Sequence, residues 1–156
     1  LLVPGAAAAW AAMRMAAGDD GVALLMVSAF RSIDYQASLI RAKLAKGRTI
    51  DDILMVNAPP GCSEHHTGRA VDIGEAGCPP LEEAFDQTEA FRWLSGNAAR
   101  YGFTMTYRKG NAEGYLYEPW HWCWKKIGDS ERGGALATEA AVPIDQSTTT
   151  SEKSWA

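Results

Sequence analysis

Two short segments hold all three histidines of the chain, each together with a carboxylate. The first, residues 63–72, contains His65 and His66, and the second, residues 118–121, ends in His121. Imidazole nitrogens and carboxylate oxygens are ligands that zinc accepts in proteins. Three such ligands with a water in the fourth position form a catalytic zinc site, whereas a structural zinc is closed by a fourth protein ligand. The two segments therefore predict a catalytic zinc centre.

The candidate ligands are His65, Asp72 and His121. Asp72 follows His65 by seven residues, a spacing that lets a loop supply the first ligand and the next strand the second. His121 comes much later in the chain, so it must lie on a different strand. His66 competes with His65, because adjacent residues of an extended chain point to opposite sides and only one of them reaches the metal. The spacing alone does not decide between these two histidines.

Glu118, three residues before His121, is the candidate general base. A carboxylate at this place can take a proton from a zinc-bound water and hand it to the leaving amine. The alternative is a structural carboxylate in a salt bridge with a nearby lysine. The aromatic residues around it would form a partly apolar wall, and two of the three tryptophans are expected to pack only in the core. These aromatic residues are Tyr117, Trp120, Trp122 and Trp124.

The rest of the chain is expected to build an α+β domain, in which helices flank a small antiparallel sheet that carries the zinc site. Ser32 and Thr49 are the expected N-caps of two helices. The pattern of apolar residues predicts helices over residues 6–17, 33–46, 49–56 and 88–101. It predicts strands over residues 22–27, 70–73, 103–107, 114–117 and 121–125, with a hairpin turn at 108–111. The continuous apolar run of the first strand indicates a buried strand.

Composition bounds the class of protein. A chain of 156 residues with 47% hydrophobic and 22% charged residues suits one globular domain. The net charge of -4 and the scatter of the basic residues argue against a nucleic-acid partner. No apolar stretch approaches the roughly 20 residues that span a membrane, so no transmembrane segment is expected. Cys62 and Cys78 could pair in an oxidising compartment, and buried free thiols are the alternative.

A change of composition divides the chain near residue 128. Gly, Ser, Thr and Ala dominate beyond this point. Such a composition predicts a peripheral or flexible tail over residues 128–156, with a helical turn near residues 135–141. Residues 1–127 then form the zinc domain.

Three blocks of the sequence carry a resemblance. Residues 28–32 with Gln36 fit the pattern Ser-x-x-Arg-Ser-x-x-x-Gln, residues 63–72 fit Ser-x-His-x-x-Gly-x-Ala-x-Asp, and residues 118–121 read Glu-Pro-Trp-His. In this order they resemble the zinc D-Ala-D-Ala carboxypeptidases and L,D-carboxypeptidases of the VanY type. The resemblance implies a small α+β domain with the zinc on an antiparallel sheet, a fold shared with D-Ala-D-Ala dipeptidases and the hedgehog signalling domain.

The resemblance also implies a role for each matching residue. His65, Asp72 and His121 would hold one zinc ion, which selects His65 over His66, and Glu118 would be the catalytic base. Arg31 would bind the free carboxylate at the C-terminus of the peptide, a task that suits the fork of a guanidinium. The alternative for Arg31 is a structural ion pair with Asp34 or another acid. The remaining polar contacts to the substrate would be Gln36 and Ser63.

The implied activity is the removal of the C-terminal D-alanine from peptidoglycan stem peptides in the bacterial cell envelope. Three rivals are a peptidoglycan endopeptidase of the same chemistry, a zinc-bearing binding module that no longer hydrolyses, and a generic α+β domain whose histidines are structural. The sequence departs from the family pattern at His66, where Gln is usual, and at residues 122–124, where Trp-Cys-Trp replaces Phe-Arg-Tyr. These departures lie around the cleft and bear on specificity more than on chemistry.

Overall fold

A computed structural model of the chain describes residues 1–112 and 114–126. The expected tail over residues 128–156, its helical turn near residues 135–141 and the boundary at residue 127 lie outside the described residues. None of the described helices is long and apolar enough to cross a membrane.

The centre of the fold is a four-stranded sheet in which neighbouring strands are antiparallel throughout. The strands are β1 (Leu25–Ser28), β2 (Ala70–Gly74), β3 (Phe103–Met105) and β4 (His121–Trp124). Their order across the sheet is β1-β2-β4-β3. The predicted class, α+β with a small antiparallel sheet flanked by helices, is therefore confirmed.

Two helices begin at their predicted caps, which satisfy free N–H groups of the first turns. Ser32 Oγ accepts a hydrogen bond from Tyr35 N at 3.1 Å, and Thr49 Oγ1 accepts one from Asp52 N at 3.1 Å. The α-helices are α1 (Pro4–Asp19), α2 (Ile33–Ala45), α3 (Ile50–Leu54) and α4 (Glu89–Asn97). Short 3-10 helices cover Glu64–Thr67, Glu83–Gln87 and Ala98–Tyr101.

The core lies between one face of the sheet and the helices α1 and α4. Val71 and Ile73 of β2 and Trp122 of β4 face this core. Because side chains alternate along a strand, Asp72 and His121 face the other side of the same strands. Asp72 and His121 are nevertheless buried. The two central strands therefore hold the core with one face and the candidate site with the other.

The first strand, predicted over residues 22–27, forms over Leu25–Ser28, but it is exposed where the prediction was a buried strand. Its residues Leu25, Met26 and Val27 are 45%, 40% and 39% exposed. The reason is the position of β1 at the edge of the sheet, where it pairs with β2 alone among the described strands. An apolar run does not reveal whether its strand will be central or at an edge.

The predicted strand over residues 114–117 does not form, so the turn at residues 108–111 does not close a hairpin with it. This segment is irregular, and its backbone N–H groups donate hydrogen bonds to other parts of the chain. Leu116 N donates to Met55 O and Glu118 N donates to Tyr107 O, both at 3.0 Å. The strand β3 pairs with β4 instead, in the register Phe103↔Trp124.

The predicted helix over residues 88–101 divides into two elements, α4 and the 3-10 helix Ala98–Tyr101.

The three cysteines are free thiols in this fold. Cys62 is exposed, Cys78 is half-buried and Cys123 is buried. The pairing of Cys62 with Cys78 that the sequence allowed is therefore not formed.

Candidate metal centre

Strand pairing brings two of the candidate ligands together. Asp72 on β2 lies directly opposite His121 on β4, and the Asp72 Oδ1 atom is 3.1 Å from His121 Nδ1. The third candidate, His65, comes from the 3-10 helix Glu64–Thr67, and its Nε2 atom lies 3.2 Å from Asp72 Oδ2. One ligand atom from each of the three residues lies within 4.8 Å of the other two. The side chains share one point in the interior, as a metal site requires.

The turn after His65 depends on Gly68. Its φ of 67° lies in the left-handed region, where a side chain is strained. A Cβ atom at this residue would also lie 3.2 Å from Val3 N, which donates a hydrogen bond of 2.9 Å to Gly68 O. The glycine therefore lets the chain reverse between His65 and β2 while the loop docks against the N-terminal segment.

Both histidines of the cluster are oriented through their outer nitrogen atoms. The Nδ1 atom of His65 lies 2.5 Å from Ala29 O, and the Nε2 atom of His121 lies 2.8 Å from Glu64 Oε2. When each outer nitrogen donates a proton to its oxygen, the inner nitrogen keeps a lone pair directed at the shared point. Thr106 Oγ1 donates a second hydrogen bond to Glu64, at 2.8 Å.

The charges around the cluster favour a cation at its centre. Burial opposes the charged form of His121, but hydrogen bonds to Asp72 and Glu64 outweigh it and raise the pKa of His121 to about 9. Burial likewise opposes the carboxylate of Asp72, but hydrogen bonds from His121 and His65 hold its pKa well below the usual range. Two carboxylates in a buried place thus hold a positive charge on the imidazole. A metal cation bound to the inner nitrogens can replace that proton.

The residues fit zinc. They offer two imidazole nitrogens and one carboxylate oxygen, the ligand types of zinc enzymes, and the three protein ligands leave a coordination position for a reactant. The histidines are already oriented by an outer shell of hydrogen bonds, as is usual in zinc sites. The donor set, its burial and its charge therefore agree with the zinc ion that the sequence predicted.

The remaining predicted site residues line the same cleft, a cavity of about 530 Å³. Burial raises the pKa of Glu118 to about 7, an effect to which the charge of Asp72 adds and which the charge of His121 opposes. Among the described residues Glu118 forms no salt bridge, so the alternative of an ion pair with a lysine finds no support. The predicted site residues that line the cleft are Arg31, Gln36, Ser63, His65, Asp72, Glu118 and His121.

Arg31 is held in place from two sides. Its Nη1 atom donates to Gln36 Oε1 at 2.8 Å, and its Nη2 atom lies 3.8 Å from Asp72 Oδ2, a long ion pair. The side chain of Gln36 in turn donates from Nε2 to Ala58 O at 2.7 Å. Arg31 therefore contacts Asp72 rather than Asp34. Its guanidinium stays on the wall of the cleft, with donors left over for a ligand.

His66 makes two hydrogen bonds away from the cluster. Its Nδ1 atom lies 2.7 Å from Arg31 O, and its Nε2 atom accepts a hydrogen bond of 3.1 Å from Gly61 N. With both ring nitrogens occupied, His66 fixes the segment that carries Arg31.

The aromatic residues divide as expected for the tryptophans. Trp122 lies in the core and Trp124 packs against it, whereas Trp120 lines the cleft. Tyr117 does not line the cleft, because its hydroxyl donates to Asp86 Oδ2 at 3.3 Å. The expected wall therefore keeps Trp120 but loses Tyr117.

Several residues of the site were not predicted. Glu64 lies next to His65 in the sequence, but its partner His121 is far along the chain, so no local pattern reveals the contact. Ala29 acts through its backbone carbonyl, which any residue could supply. The other unpredicted residues on the wall of the cleft include Lys43, Arg48, Tyr107 and Tyr115.

Comparison with known proteins decides the family. A family model described as VanY, D-alanyl-D-alanine carboxypeptidase, matches residues 1–128. The chain belongs to this family. Among curated relatives, YodJ of Bacillus subtilis is 39% identical over an alignment of 111 residues, and the match covers 68% of this chain and 40% of YodJ. A D-alanyl-D-alanine carboxypeptidase of Enterococcus faecalis is 34% identical over an alignment of 117 residues, and the match covers 69% of this chain and 42% of the relative. The chain thus spans less than half the length of these relatives.

Solved structures agree with the VanY assignment. The LdcB LD-carboxypeptidase superposes with a TM-score of 0.75 at 33% identity, covering 84% of this chain and 62% of LdcB. A mutant of the vancomycin-resistance D,D-pentapeptidase VanY in complex with Zn(II) superposes with a TM-score of 0.66 at 28% identity, covering 84% of this chain and 76% of that structure. VanYB in complex with D-Ala-D-Ala has a TM-score of 0.67 at 28% identity, with 84% of this chain and 75% of that chain covered.

Substitution of the two adjacent histidines tests which of them holds the metal. We expect His65→Ala to abolish tight zinc binding, because it removes one of three inward ligands. His66→Ala should retain one zinc per chain, because its ring nitrogens bond to the backbone instead. Isothermal titration of the metal-free proteins with zinc measures both. Tight zinc binding by His65→Ala together with loss of binding in His66→Ala would contradict the assignment.

Glu64 gives a second test of the centre. We expect Glu64→Ala to weaken zinc binding by about 10–100-fold, since it removes the acceptor that orients His121. Glu64→Gln should lie between this variant and the wild type, because the amide oxygen still accepts the hydrogen bond but carries no charge. Competition with a chromophoric chelator measures the affinities, and circular dichroism checks the fold. Unchanged zinc affinity in folded Glu64→Ala would show that the contact does not support the metal.

Proposed function

We propose that this protein is a zinc metallocarboxypeptidase that removes the C-terminal D-alanine from peptidoglycan stem peptides in the bacterial cell envelope. The observation that carries the proposal is one cleft that contains the buried His65–Asp72–His121 cluster, the carboxylate of Glu118 and the guanidinium of Arg31. Membership of a carboxypeptidase family supports the same reaction.

The three inward ligands would hold one zinc ion through His65 Nε2, a carboxylate oxygen of Asp72 and His121 Nδ1. When bound there, zinc supplies a Lewis acid that polarises the scissile carbonyl and makes water more acidic. The outer hydrogen bonds that the imidazoles donate to Ala29 O and Glu64 keep them in the tautomer that this task needs.

Glu118 acts as the proton carrier. Its carboxylate takes a proton from the attacking water and delivers it to the nitrogen of the leaving D-alanine. Burial favours the neutral acid at this place, whereas a nearby cation favours the carboxylate. These opposed influences on its pKa suit a group that must first accept a proton and then give it up.

Arg31 supplies the preference for a free C-terminus. A guanidinium forms two parallel hydrogen bonds with a carboxylate, and an internal peptide bond offers no such partner. The hydrogen bond to Gln36 fixes the guanidinium before the substrate arrives, which reduces the entropy lost on binding. Ser63, which accepts a hydrogen bond of 3.3 Å from His65 N, lies beside the cluster on the wall of the cleft as a further polar contact.

The decisive assay measures D-alanine release from two synthetic stem peptides. One is a pentapeptide that ends in D-Ala-D-Ala, and the other is a tetrapeptide that ends in L-Lys-D-Ala. We expect zinc-dependent release from at least one of them, inhibited by a chelator. We expect Glu118→Gln to lower kcat by about 10²–10⁴-fold while it still binds zinc. Glu89→Gln, an exposed change outside the cleft, is the matched control and should keep wild-type activity.

Other outcomes point to the rivals. Cleavage of a cross-linked peptide without release of D-alanine would identify an endopeptidase. Zinc binding with no cleavage of any peptide would identify a silent binding module. Full activity in Glu118→Gln would contradict the role of this carboxylate.

A further inference from the structure

We propose that Lys43 and Arg48 form a second anion subsite in the cleft, which binds a carboxylate of the substrate in addition to its C-terminal carboxylate. This inference rests on the proposed function, because it assigns a substrate class to the same cleft. It concerns two cations to which the reaction described above gives no task.

The fold brings both cations to the cleft. Lys43 follows Gln36 in α2 by seven residues, close to two helical turns, so the two side chains leave the same face of the helix. Their Cα atoms are separated by about 10 Å along the axis, since each residue rises 1.5 Å. Long side chains in a helix lean toward its N-terminus, which directs the Lys43 ammonium back toward Arg31. Both Lys43 and Arg48 line the cleft that contains the metal cluster.

Among the described residues, no carboxylate forms a salt bridge with the positive charge at this end of the cleft. Among the described residues, neither Lys43 nor Arg48 has a carboxylate oxygen within 4.0 Å. The carboxylates that line the cleft are Asp72, Glu82 and Glu118. Asp72 is already hydrogen-bonded to the histidines. Lys43 and Arg48 can therefore pair with the negative charge of a ligand in the cleft.

The surroundings of Lys43 make an anionic ligand favourable. Burial lowers the pKa of Lys43, and the positive charges of Arg48 and Arg31 lower it further, whereas Glu118 raises it. A partly desolvated ammonium that is repelled by two arginines gains stability when an anion binds between them. Arg48 remains exposed at the mouth of the cleft, where it also attracts an anion from solution.

The ligand is a stem-peptide residue with a free carboxylate near the scissile bond. Two residue types have this chemistry: a diamino dicarboxylic acid in place of lysine, and a glutamate linked through its side chain, whose α-carboxylate stays free. Amidation of either carboxylate removes the charge. A lysine side chain placed at the same point would be repelled by Lys43 and Arg48, so the subsite selects by repulsion as well as by attraction.

Lys43 could instead act on the base, because its charge and that of Glu118 influence each other. The two roles differ in what they affect. A change in the base alters turnover of every substrate by the same factor, whereas an anion subsite alters only the substrates that carry the second carboxylate. A comparison of peptides within each variant therefore separates them.

The test uses matched peptides that end in the same D-alanine. One pair differs only in a free or amidated carboxylate on a diamino dicarboxylic residue, and the other pair only in a free or amidated glutamate α-carboxylate. We expect the wild type to prefer the free carboxylate of one pair by about tenfold in kcat/KM. Lys43→Met/Arg48→Met should abolish this preference. Arg41→Met/Lys46→Met, which removes two charges outside this cleft, should keep it.

The outcomes are decisive for both proposals. Equal kcat/KM within both pairs, or an equal loss on free and amidated peptides in the Lys43→Met/Arg48→Met variant, would overturn the subsite while leaving the carboxypeptidase in place. Absence of D-alanine release from all peptides would overturn the proposed function instead. Peptide binding to zinc-loaded Glu118→Gln, measured by calorimetry, then tests the subsite without turnover. If Glu118→Gln binds the free-carboxylate peptide about tenfold more tightly than the amidated one, and this difference disappears when Lys43 and Arg48 are also replaced, the subsite is supported. If Glu118→Gln binds the two peptides equally, the subsite is refuted.

Discussion

The site depends on one strand pairing. The antiparallel register of β2 and β4 sets Asp72 opposite His121, and the carboxylate of Asp72 then reaches His65 as well. A shift of one residue would turn Asp72 toward the core and Val71 toward the cleft, because successive side chains point to opposite faces. The buried apolar side chains on the core face therefore enforce the register that the polar face needs. The stability of the domain and the geometry of the site are thus determined by the same contacts.

Around this pairing, the cleft is tied together by hydrogen bonds between segments that are distant in sequence. His65 O accepts from Arg31 N at 3.2 Å, and His66 and Gln36 bind Arg31 from its backbone and its side chain. The guanidinium and the His-Asp-His cluster therefore belong to one hydrogen-bonded network. Such pre-organisation suits a reaction in which the substrate must be held at its terminal carboxylate and attacked one residue away. His66, which does not face the cluster, takes part in this network through both ring nitrogens.

The sequence predicts the site better than it predicts the sheet. Short motifs with fixed spacing name His65, Asp72 and His121, and the structure brings these three together. Ser32 and Thr49 mark helix starts because capping is a local interaction. Strand burial and pairing are not local, so the exposed edge position of β1 and the missing strand over residues 114–117 were not foreseen. Long-range contacts limit the prediction of residue roles in the same way.

Glu64 and Lys43 illustrate this limit in the site. Glu64 lies next to His65 in residues 63–72, yet its contact with His121 Nε2, at 2.8 Å, forms only once the fold brings β4 beside it. Lys43 looks like one more solvated charge on a helix until the fold brings it into the cleft with Arg31 and Glu118. The contacts of both residues involve partners that the chain order does not reveal.

The most direct test of the account is a titration of the metal-free protein with zinc, in which bound zinc and the rate of D-alanine release are measured on the same samples. If one buried His-Asp-His centre performs the reaction, the rate of D-alanine release rises in proportion to bound zinc and reaches its plateau at one zinc per chain. A rate that is already full in the metal-free protein, or a plateau that requires a second zinc, would contradict it.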